Sequence, residues 1–247
     1  MQGFRKRLRA PEPMLGTFLK IPSTQPAEIL GTLGFDFVVI DEEHAPLNPE
    51  TTDAILLACR AHSMAGLVRV RQYADILRML DSGADGVLVP HVSSPDVARK
   101  IVALARYDGG ARGLSPTTRA GNFGGTPVGD HMKGQDARCA VIAMIEDKGA
   151  LDQIDEIICT DGLDAIFVGR ADLAVSMGVG MQDGSVDLAV SQILAASYRA
   201  GVPALILAGN SLEVASLRTQ GATGFLTSSD QGFLQTCAAA TRATFLK

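Results

Sequence analysis

The chain has 247 residues, of which 47% are hydrophobic and 20% charged. That balance excludes a disordered tail, a fibrous repeat and a disulfide-held miniprotein, because a chain of this length buries about 70–75% of its unfolded surface without staples. A net charge of −5 and a pI of about 5.4 leave no basic footprint for nucleic acid. Mean hydropathy is high at +0.18. Even so, the longest apolar runs, such as Phe35–Ile40 and Val202–Ala208, are strand-sized and far short of the roughly 18 residues that a membrane span needs.

In chain order, residues 2–10 come first; they are basic, with no apolar segment after them, and are expected to form a helix that plugs the bottom of the fold. Eight short apolar runs follow: Leu15–Leu19, Phe35–Ile40, Gly66–Val70, Gly86–Val89, Ala140–Ile145, Ala165–Val168, Pro203–Leu207 and Gly224–Thr227. They are rich in Val, Ile, Leu and Phe without strict alternation, as parallel strands covered on both faces should be. Helical spacing separates most of them, over Pro49–Ala61, Pro95–Ala105, Asp187–Ala200 and Leu212–Gln220. Ser94-Pro95 reads as a cap followed by proline in the first turn. The pattern predicts one (β/α)8 TIM barrel domain over residues 1–247. An open doubly wound sheet is the alternative, but neither GxGxxG after the first strand nor GxxxxGK[ST] occurs. Residues 108–137 break the rhythm as a long Gly-rich loop, expected to overhang the carboxyl end of the barrel as a lid or substrate loop. Cys59, Cys139, Cys159 and Cys237 show neither CxxC nor metal spacing, which predicts free thiols and a cytoplasmic protein.

In such a barrel the chemistry lies where strands end. The second strand runs into Asp41-Glu42-Glu43-His44, the third carries Arg69, the fifth ends at Glu146-Asp147 and the sixth at Gly169-Arg170-Ala171-Asp172. Clustered carboxylates without a lysine excess suggest a hard divalent cation, with Glu146 and Asp172 as the pair on adjacent strands. Oxygen-only ligation favours Mg²⁺ or Mn²⁺, with Co²⁺ also admissible. The competing reading is that these acids cap the following helices. His44 suits a general base whose ring Asp41 could orient; otherwise it is a loop or interface histidine. Arg69, inside an apolar strand, must face an anionic ligand or an acid such as Glu43 or Asp41. Of six lysines none lies in the body of a strand, and only Lys20, just after the first, is placed where a Schiff-base amine could serve.

Several stretches together resemble the HpcH/HpaI class II pyruvate aldolases: Phe35-Asp36-Phe37-Val38-Val39-Ile40-Asp41-Glu42-Glu43-His44-Ala45-Pro46, Leu67-Val68-Arg69-Val70, Gly83-Ala84-Asp85-Gly86-Val87-Leu88-Val89-Pro90, Arg112-Gly113 with Thr118-Arg119-Ala120, Ile145-Glu146-Asp147, and Gly162 through Leu173. The resemblance implies a modified TIM barrel whose C-terminal helix packs on a neighbouring subunit in a homohexamer built from trimers. It implies a divalent metal on Glu146 and Asp172, Arg69 on the oxygen of a pyruvate unit, and His44 as the acid–base residue supported by Asp41 and Asp81. Backbone amides around Gly169, Ala171 and Asp172 are implied to hold the pyruvate carboxylate. Thr118 and Arg119 would shape the aldehyde side. Many similar proteins carry Gln where this chain has Met144, a side chain that neither donates nor accepts strongly.

The implied reaction is reversible cleavage of 4-hydroxy-2-oxo acids, such as 4-hydroxy-2-oxoheptanedioate or 2-keto-3-deoxy sugar acids, to pyruvate and an aldehyde. The alternatives are a CoA-thioester lyase of the citrate lyase β-subunit type, a phosphosugar isomerase using Gly209-Asn210 and Ser228-Ser229, and a non-catalytic keto-acid-binding paralogue.

Overall fold

Each apolar run becomes a parallel strand, because a helix on one side and the barrel interior on the other leave neither face in water. The computed structural model describes residues 3–10 and 12–245. The strands are β1 (Met14–Leu19), β2 (Phe37–Asp41), β3 (Ala65–Arg69), β4 (Gly86–Val89), β5 (Ala140–Ile145), β6 (Ala165–Val168), β7 (Ala204–Leu207) and β8 (Gly224–Ser229). They pair in chain order and close into a barrel with β8 against β1. This is the (β/α)8 architecture expected from the sequence. The helices are α1 (Phe4–Arg7), α2 (Gln25–Thr32), α3 (Pro49–Ala61), α4 (Asp75–Asp81), α5 (Pro95–Ala105), α6 (Val128–Arg138), α7 (Ile154–Ile158), α8 (Arg170–Met177), α9 (Gly184–Ala200), α10 (Ser211–Thr219) and α11 (Asp230–Phe245). None of these is long and apolar enough to cross a membrane. At α5 the cap works as expected: Ser94 accepts the Val97 N–H ahead of Pro95. Asn48 does the same for α3.

Strand alternation divides the core in two. Phe18, Val39, Leu67, Leu88, Met144, Phe167, Leu205 and Leu226 meet inside the barrel. Val38, Val68, Val87, Val141, Ile166 and Ile206 face the helices. A period of two then sends the next inward positions, Lys20, Asp41, Arg69 and Glu146, to the mouth at the carboxyl end, where an irregular end of β8, with Ser228 at a φ of 51°, also delivers Ser228. The other end is closed by α1, as expected for the N-terminal segment, although Gln2 lies outside the described residues. Phe4 and Leu8 join the inner cluster, the Phe4 and Phe37 rings lie 5.4 Å apart, and Arg5 Nε donates to the buried Asp164.

Residues 106–139 differ from expectation. The carboxyl-end turn after β4 is short, and α5 returns the chain to the amino end before the long segment begins. There Arg106 donates to the Cys139 carbonyl at 2.8 Å and pairs with Asp164. The segment therefore does not overhang the mouth within this chain. It is also not wholly a loop: a 3₁₀ turn spans Arg119–Gly124 and α6 follows. The buried side of α6 carries His131 and Gln135 in place of aliphatic residues, so no apolar period marks it. Tyr107 Oη meets His131 Nε2 at 3.1 Å beneath it.

Candidate active site

The mouth is organised by Asp41. Its Cα is registered against that of Arg69 on the next strand, so two inward-pointing side chains of opposite charge lie side by side. Arg69 Nε donates to Asp41 Oδ1 at 2.9 Å and Nη2 to Oδ2 at 2.7 Å. The backbone N–H groups of Glu43 and His44 also donate to Oδ1, at 3.2 and 3.1 Å, and Lys20 Nζ lies 3.2 Å from Oδ2. Burial pushes the Asp41 carboxyl up, but Arg69, the His44 N–H and Lys20 outweigh it and hold the group below its ordinary value. A buried carboxylate with five donors stays charged.

This arrangement corrects one expectation. Asp41 does not orient the His44 ring; it grips the His44 backbone and the Arg69 guanidinium. The acid nearest the ring is Glu43, whose Oε2 lies 3.7 Å from His44 Nε2 and 3.4 Å from Arg69 Nε. Its Oε1 is 3.9 Å from His91 Nε2. Glu43 therefore stands between two histidines and an arginine.

Across the mouth, Glu146 follows β5 and is almost fully buried. The His91 N–H donates to its Oε1 at 2.8 Å. His91 achieves this with a φ of 55°, a left-handed backbone that is uncommon for a residue with a side chain. Burial, then the neighbouring Asp172 and Glu43 charges, push the Glu146 carboxyl up to about 7 against the opposing pull of His91. Burial pulls the His91 imidazole down, yet Glu146, Asp147 and Glu43 hold it above its ordinary value. Gly169 permits the close approach of Glu146, since a Cβ there would sit 2.9 Å from the Glu146 Cβ and 2.8 Å from Met144 Cε. Asp172 lies in the first turn of α8 and, among the described residues, has no ion-pair partner.

A cavity of about 440 Å³ opens at this mouth. Lys20, His44 and Arg69 line one side, Gly169, Ala171 and Asp172 the other. Phe18, Met144 and Phe167 form an apolar floor. The Phe18 and Phe167 rings meet edge-on at 6.0 Å, and the Arg69 guanidinium lies over Phe18 at 5.1 Å. A larger cleft of about 830 Å³ opens at the amino end, beside Arg7, Asp36, Arg60 and Asp85, away from the carboxylate cluster.

Residues 14–235 match the protein family described as HpcH/HpaI aldolase/citrate lyase. The chain belongs to that family. It is 32% identical over 245 residues to the hydroxypyruvate/pyruvate aldolase of Sagittula stellata, covering 97% of this chain and 96% of that protein. It is 33% identical over 234 residues to the 5-keto-4-deoxy-D-glucarate aldolase of Klebsiella pneumoniae, covering 93% and 91%. A solved structure of an HpcH/HpaI aldolase/citrate lyase family protein from Burkholderia cenocepacia superposes with a TM-score of 0.92 at 32% identity, covering 98% of both chains. As a member of the HpcH/HpaI family, the protein is a lyase of the aldolase type.

The expected site residues fall into two groups. Asp41, His44, Arg69, Glu146, Gly169, Ala171 and Asp172 gather at one mouth. Asp81, Thr118 and Arg119 do not join them within this chain. Asp81 ends α4 and accepts Arg112 Nη2 at 2.9 Å. Thr118 Oγ1 donates to the Ser115 carbonyl. Arg119 forks onto Asp53 of α3 and packs beside Gly83, in the turn before β4. All three lie on the helix-to-strand side, where helices have carried the chain back from the mouth. Sequence reading undervalues Lys20, Glu43 and His91. The signal available for Lys20 is the inward period of its strand.

Among the described residues no three His, Cys, Asp or Glu side chains converge as a ready-made metal cage. Glu146 and Asp172 still fit a hard cation. The Asp172 charge lies close enough to raise the cost of ionising Glu146, and two carboxylates leave coordination positions open for water and substrate.

Proposed function

We propose that this protein is a divalent-metal-dependent aldolase that reversibly cleaves 4-hydroxy-2-oxo acids to pyruvate and an aldehyde. The observation that carries the reading is a cavity lined by Asp172 across from Arg69 and His44, with the buried Glu146 carboxylate close enough to feel the Asp172 charge. Glu146 and Asp172 would hold the cation, Mg²⁺ or Mn²⁺ by ligand chemistry, with Co²⁺ admissible. When bound, such a cation acts as a Lewis acid toward the 2-oxo group.

The chain's own residues do the rest. Arg69 is fixed by Asp41 through Nε and Nη2, so its remaining edge faces the cavity as a positioned cation for the C2 oxygen. One such donor, aimed where negative charge develops, is worth roughly 3–4 kcal/mol. Backbone amides at Ala171 and Asp172 open α8 and suit the substrate carboxylate, whereas the Gly169 N–H donates to the Ile145 carbonyl at 3.0 Å and leaves Gly169 to shape the turn. His44 takes the C4 hydroxyl proton as the C3–C4 bond breaks and returns it in the addition direction. Glu43 orients that ring. Phe18, Met144 and Phe167 keep water from beneath the reacting carbons.

Asp81, Thr118 and Arg119 would act only across a subunit interface. In support, α11 is almost wholly exposed beyond Phe233, with Leu234 at 65% and Phe245 at 83%. Its uncovered face suits packing on a neighbouring copy in a homo-oligomer, a trimer or hexamer. The four cysteines are free, which suits a cytoplasmic location.

The test is pyruvate release from racemic 4-hydroxy-2-oxo acids by protein stripped with EDTA, before and after adding Mn²⁺ or Mg²⁺, with a borohydride-plus-pyruvate control. Metal-dependent release that borohydride does not block is expected. Release that needs no metal and is lost to borohydride would instead mark Lys20 as a Schiff-base amine, and no release with any metal would favour a CoA-thioester lyase or a keto-acid-binding protein.

A further inference from the structure

Among the described residues Lys20 is the one lysine that lines the cavity. Its position is set by β1, whose inward residue Phe18 forms part of the floor two positions earlier. The backbone is pinned there as well: the buried Asp230 carboxylate accepts the Lys20 N–H through Oδ1 and the Ile21 N–H through Oδ2, both at 2.9 Å. The Lys20 ammonium touches Asp41 at 3.2 Å, its only side-chain partner among the described residues.

Asp41 is held chiefly by the bidentate pair with Arg69, a guanidinium that Asp41 shares with Glu43 at 3.4 Å. Lys20 is therefore not the sole counter-ion of Asp41, and most of its hydrogen-bonding capacity is free. An ammonium carries three donors, and here one is engaged while the side chain keeps 28% of its surface exposed. The other arginine of the cavity is committed: Arg170 Nη2 lies 2.6 Å from Glu213 Oε1 and donates to the Leu207 carbonyl at 2.8 Å. On the wall formed by β8 and β1 the remaining polar groups are Ser228 and Ser229, and Asp172, across the cavity, is its only lining acid among the described residues.

Strand order fixes which part of a substrate meets that wall. Glu146 and Asp172 follow β5 and β6, and Arg69 ends β3, so the 2-oxo acid half lies between them. His44 follows β2 and takes the C4 hydroxyl. The part of the substrate beyond C4 then passes next to β1 and β8, over Lys20, Ser228 and Ser229.

We propose that Lys20 is a specificity-determining residue that pairs with a second carboxylate at the far end of the substrate, so that the aldehyde this enzyme releases or accepts is an acidic one. The inference rests on the aldolase reading given above. Ser228 and Ser229 supply hydroxyls to the same end group. A neutral aldehyde would leave the two free donors of the ammonium facing the cavity with no anionic acceptor beyond Asp41.

The experiment is the addition reaction with pyruvate and Mn²⁺, comparing glyoxylate with glycolaldehyde, and succinic semialdehyde with butanal. Wild type is expected to favour the acidic member of each pair in kcat/KM. Lys20→Met should lower that acid-over-neutral ratio by about tenfold or more, the scale of a lost charge-assisted hydrogen bond, and Lys20→Arg should restore most of it. A role for Lys20 only in steadying Asp41 and Arg69 would lower both rates together and leave the ratio intact; that result overturns the proposal, as does a wild type with no preference for the acid. Wild type inert with pyruvate and all four aldehydes would remove the aldolase reading itself.

Discussion

Asp41 and Arg69 are register partners on β2 and β3, and their side chains close a bidentate pair of 2.9 and 2.7 Å in which Asp41 is fully buried. Removing either partner has a different consequence. Arg69→Ala takes away a donor aimed at the cavity and should lower kcat/KM at least about tenfold, with Lys a poor substitute because it cannot fork. Asp41→Ala leaves a buried guanidinium whose nearest remaining acid is Glu43 at 3.4 Å. Stability should fall by about 3 kcal/mol, the low end for a broken buried pair, which urea unfolding at neutral pH would measure. Because the Asp41 carboxyl lies below its ordinary value, its contribution to stability is full above pH about 4 and is lost as pH falls through the lower folded value. Wild type and Asp41→Ala should therefore converge in stability as pH falls below about 4, whereas a constant gap would contradict the assignment.

Glu146 gives a prediction of opposite sign. Its carboxyl is raised to about 7 without metal, so in the metal-free protein its proton stabilises the fold fully below about pH 4.5, and that contribution is lost as pH rises through 7. A cation must displace the same proton. Apparent metal affinity should weaken as pH falls below 7, by up to about tenfold per pH unit, with close to one proton released per ion bound. Calorimetric titration in two buffers of different ionisation enthalpy reads the proton count directly. No release at pH 6, or undiminished release from Glu146→Gln, would count against Glu146 as the ligand that titrates.

Much of this architecture is legible because strands announce themselves by apolar composition and the mouth by the charged residues at their carboxyl ends. The runs at Gly86–Val89, Ala140–Ile145 and Ala165–Val168 coincide with β4, β5 and β6, and Pro49–Ala61 and Pro95–Ala105 with α3 and α5. The acids and Arg69 stand out because charge beside an apolar strand is unusual. Pairings are less legible. Asp41 is three residues from His44 but meets Arg69, because register across strands decides side-chain neighbours and sequence distance does not. The helix α6 escapes detection because its buried face holds His131 and Gln135. The 108–137 segment lies at the opposite end from the one its flanking strands suggest, because the helix between those strands has already returned the chain.

Gly169 tests the packing of the carboxylate site without touching a charge. Its φ is −87°, which any residue can adopt, so Gly169→Ala introduces no backbone strain. The added methyl would lie 2.9 Å from the Glu146 Cβ and 3.0 Å from its Oε2. Met144 Cε can swing aside, whereas the Cβ of Glu146 is fixed by its strand. Glu146 must shift, so metal affinity and kcat/KM should fall by about tenfold or more, since a site displaced by even about 1 Å can lose roughly a hundredfold in rate. Unchanged metal affinity in a folded Gly169→Ala protein would show that Glu146 does not hold the cation.

The last helix carries the remaining prediction. In α11, Leu234, Thr241 and Phe245 recur at spacings that bring them to one side of a helix, and all are exposed. Sixteen residues of helix with so little contact to their own barrel would gain little from propensity alone, because isolated helices of this length are marginal in water. Packing against another copy supplies the missing burial. Wild type should sediment as a homo-oligomer, and Leu234→Glu combined with Phe245→Glu should shift it to a smaller species by placing two charges in an apolar contact. The barrel itself should survive, since neither side chain belongs to either core cluster, and circular dichroism of the variant would verify that. If the site also needs Asp81 or Arg119 from a neighbour, the smaller species should lose activity while keeping its fold and its capacity to bind Mn²⁺. A variant that remains oligomeric would place the interface elsewhere, and a fully active monomer would confine the catalytic set to the residues gathered at one mouth.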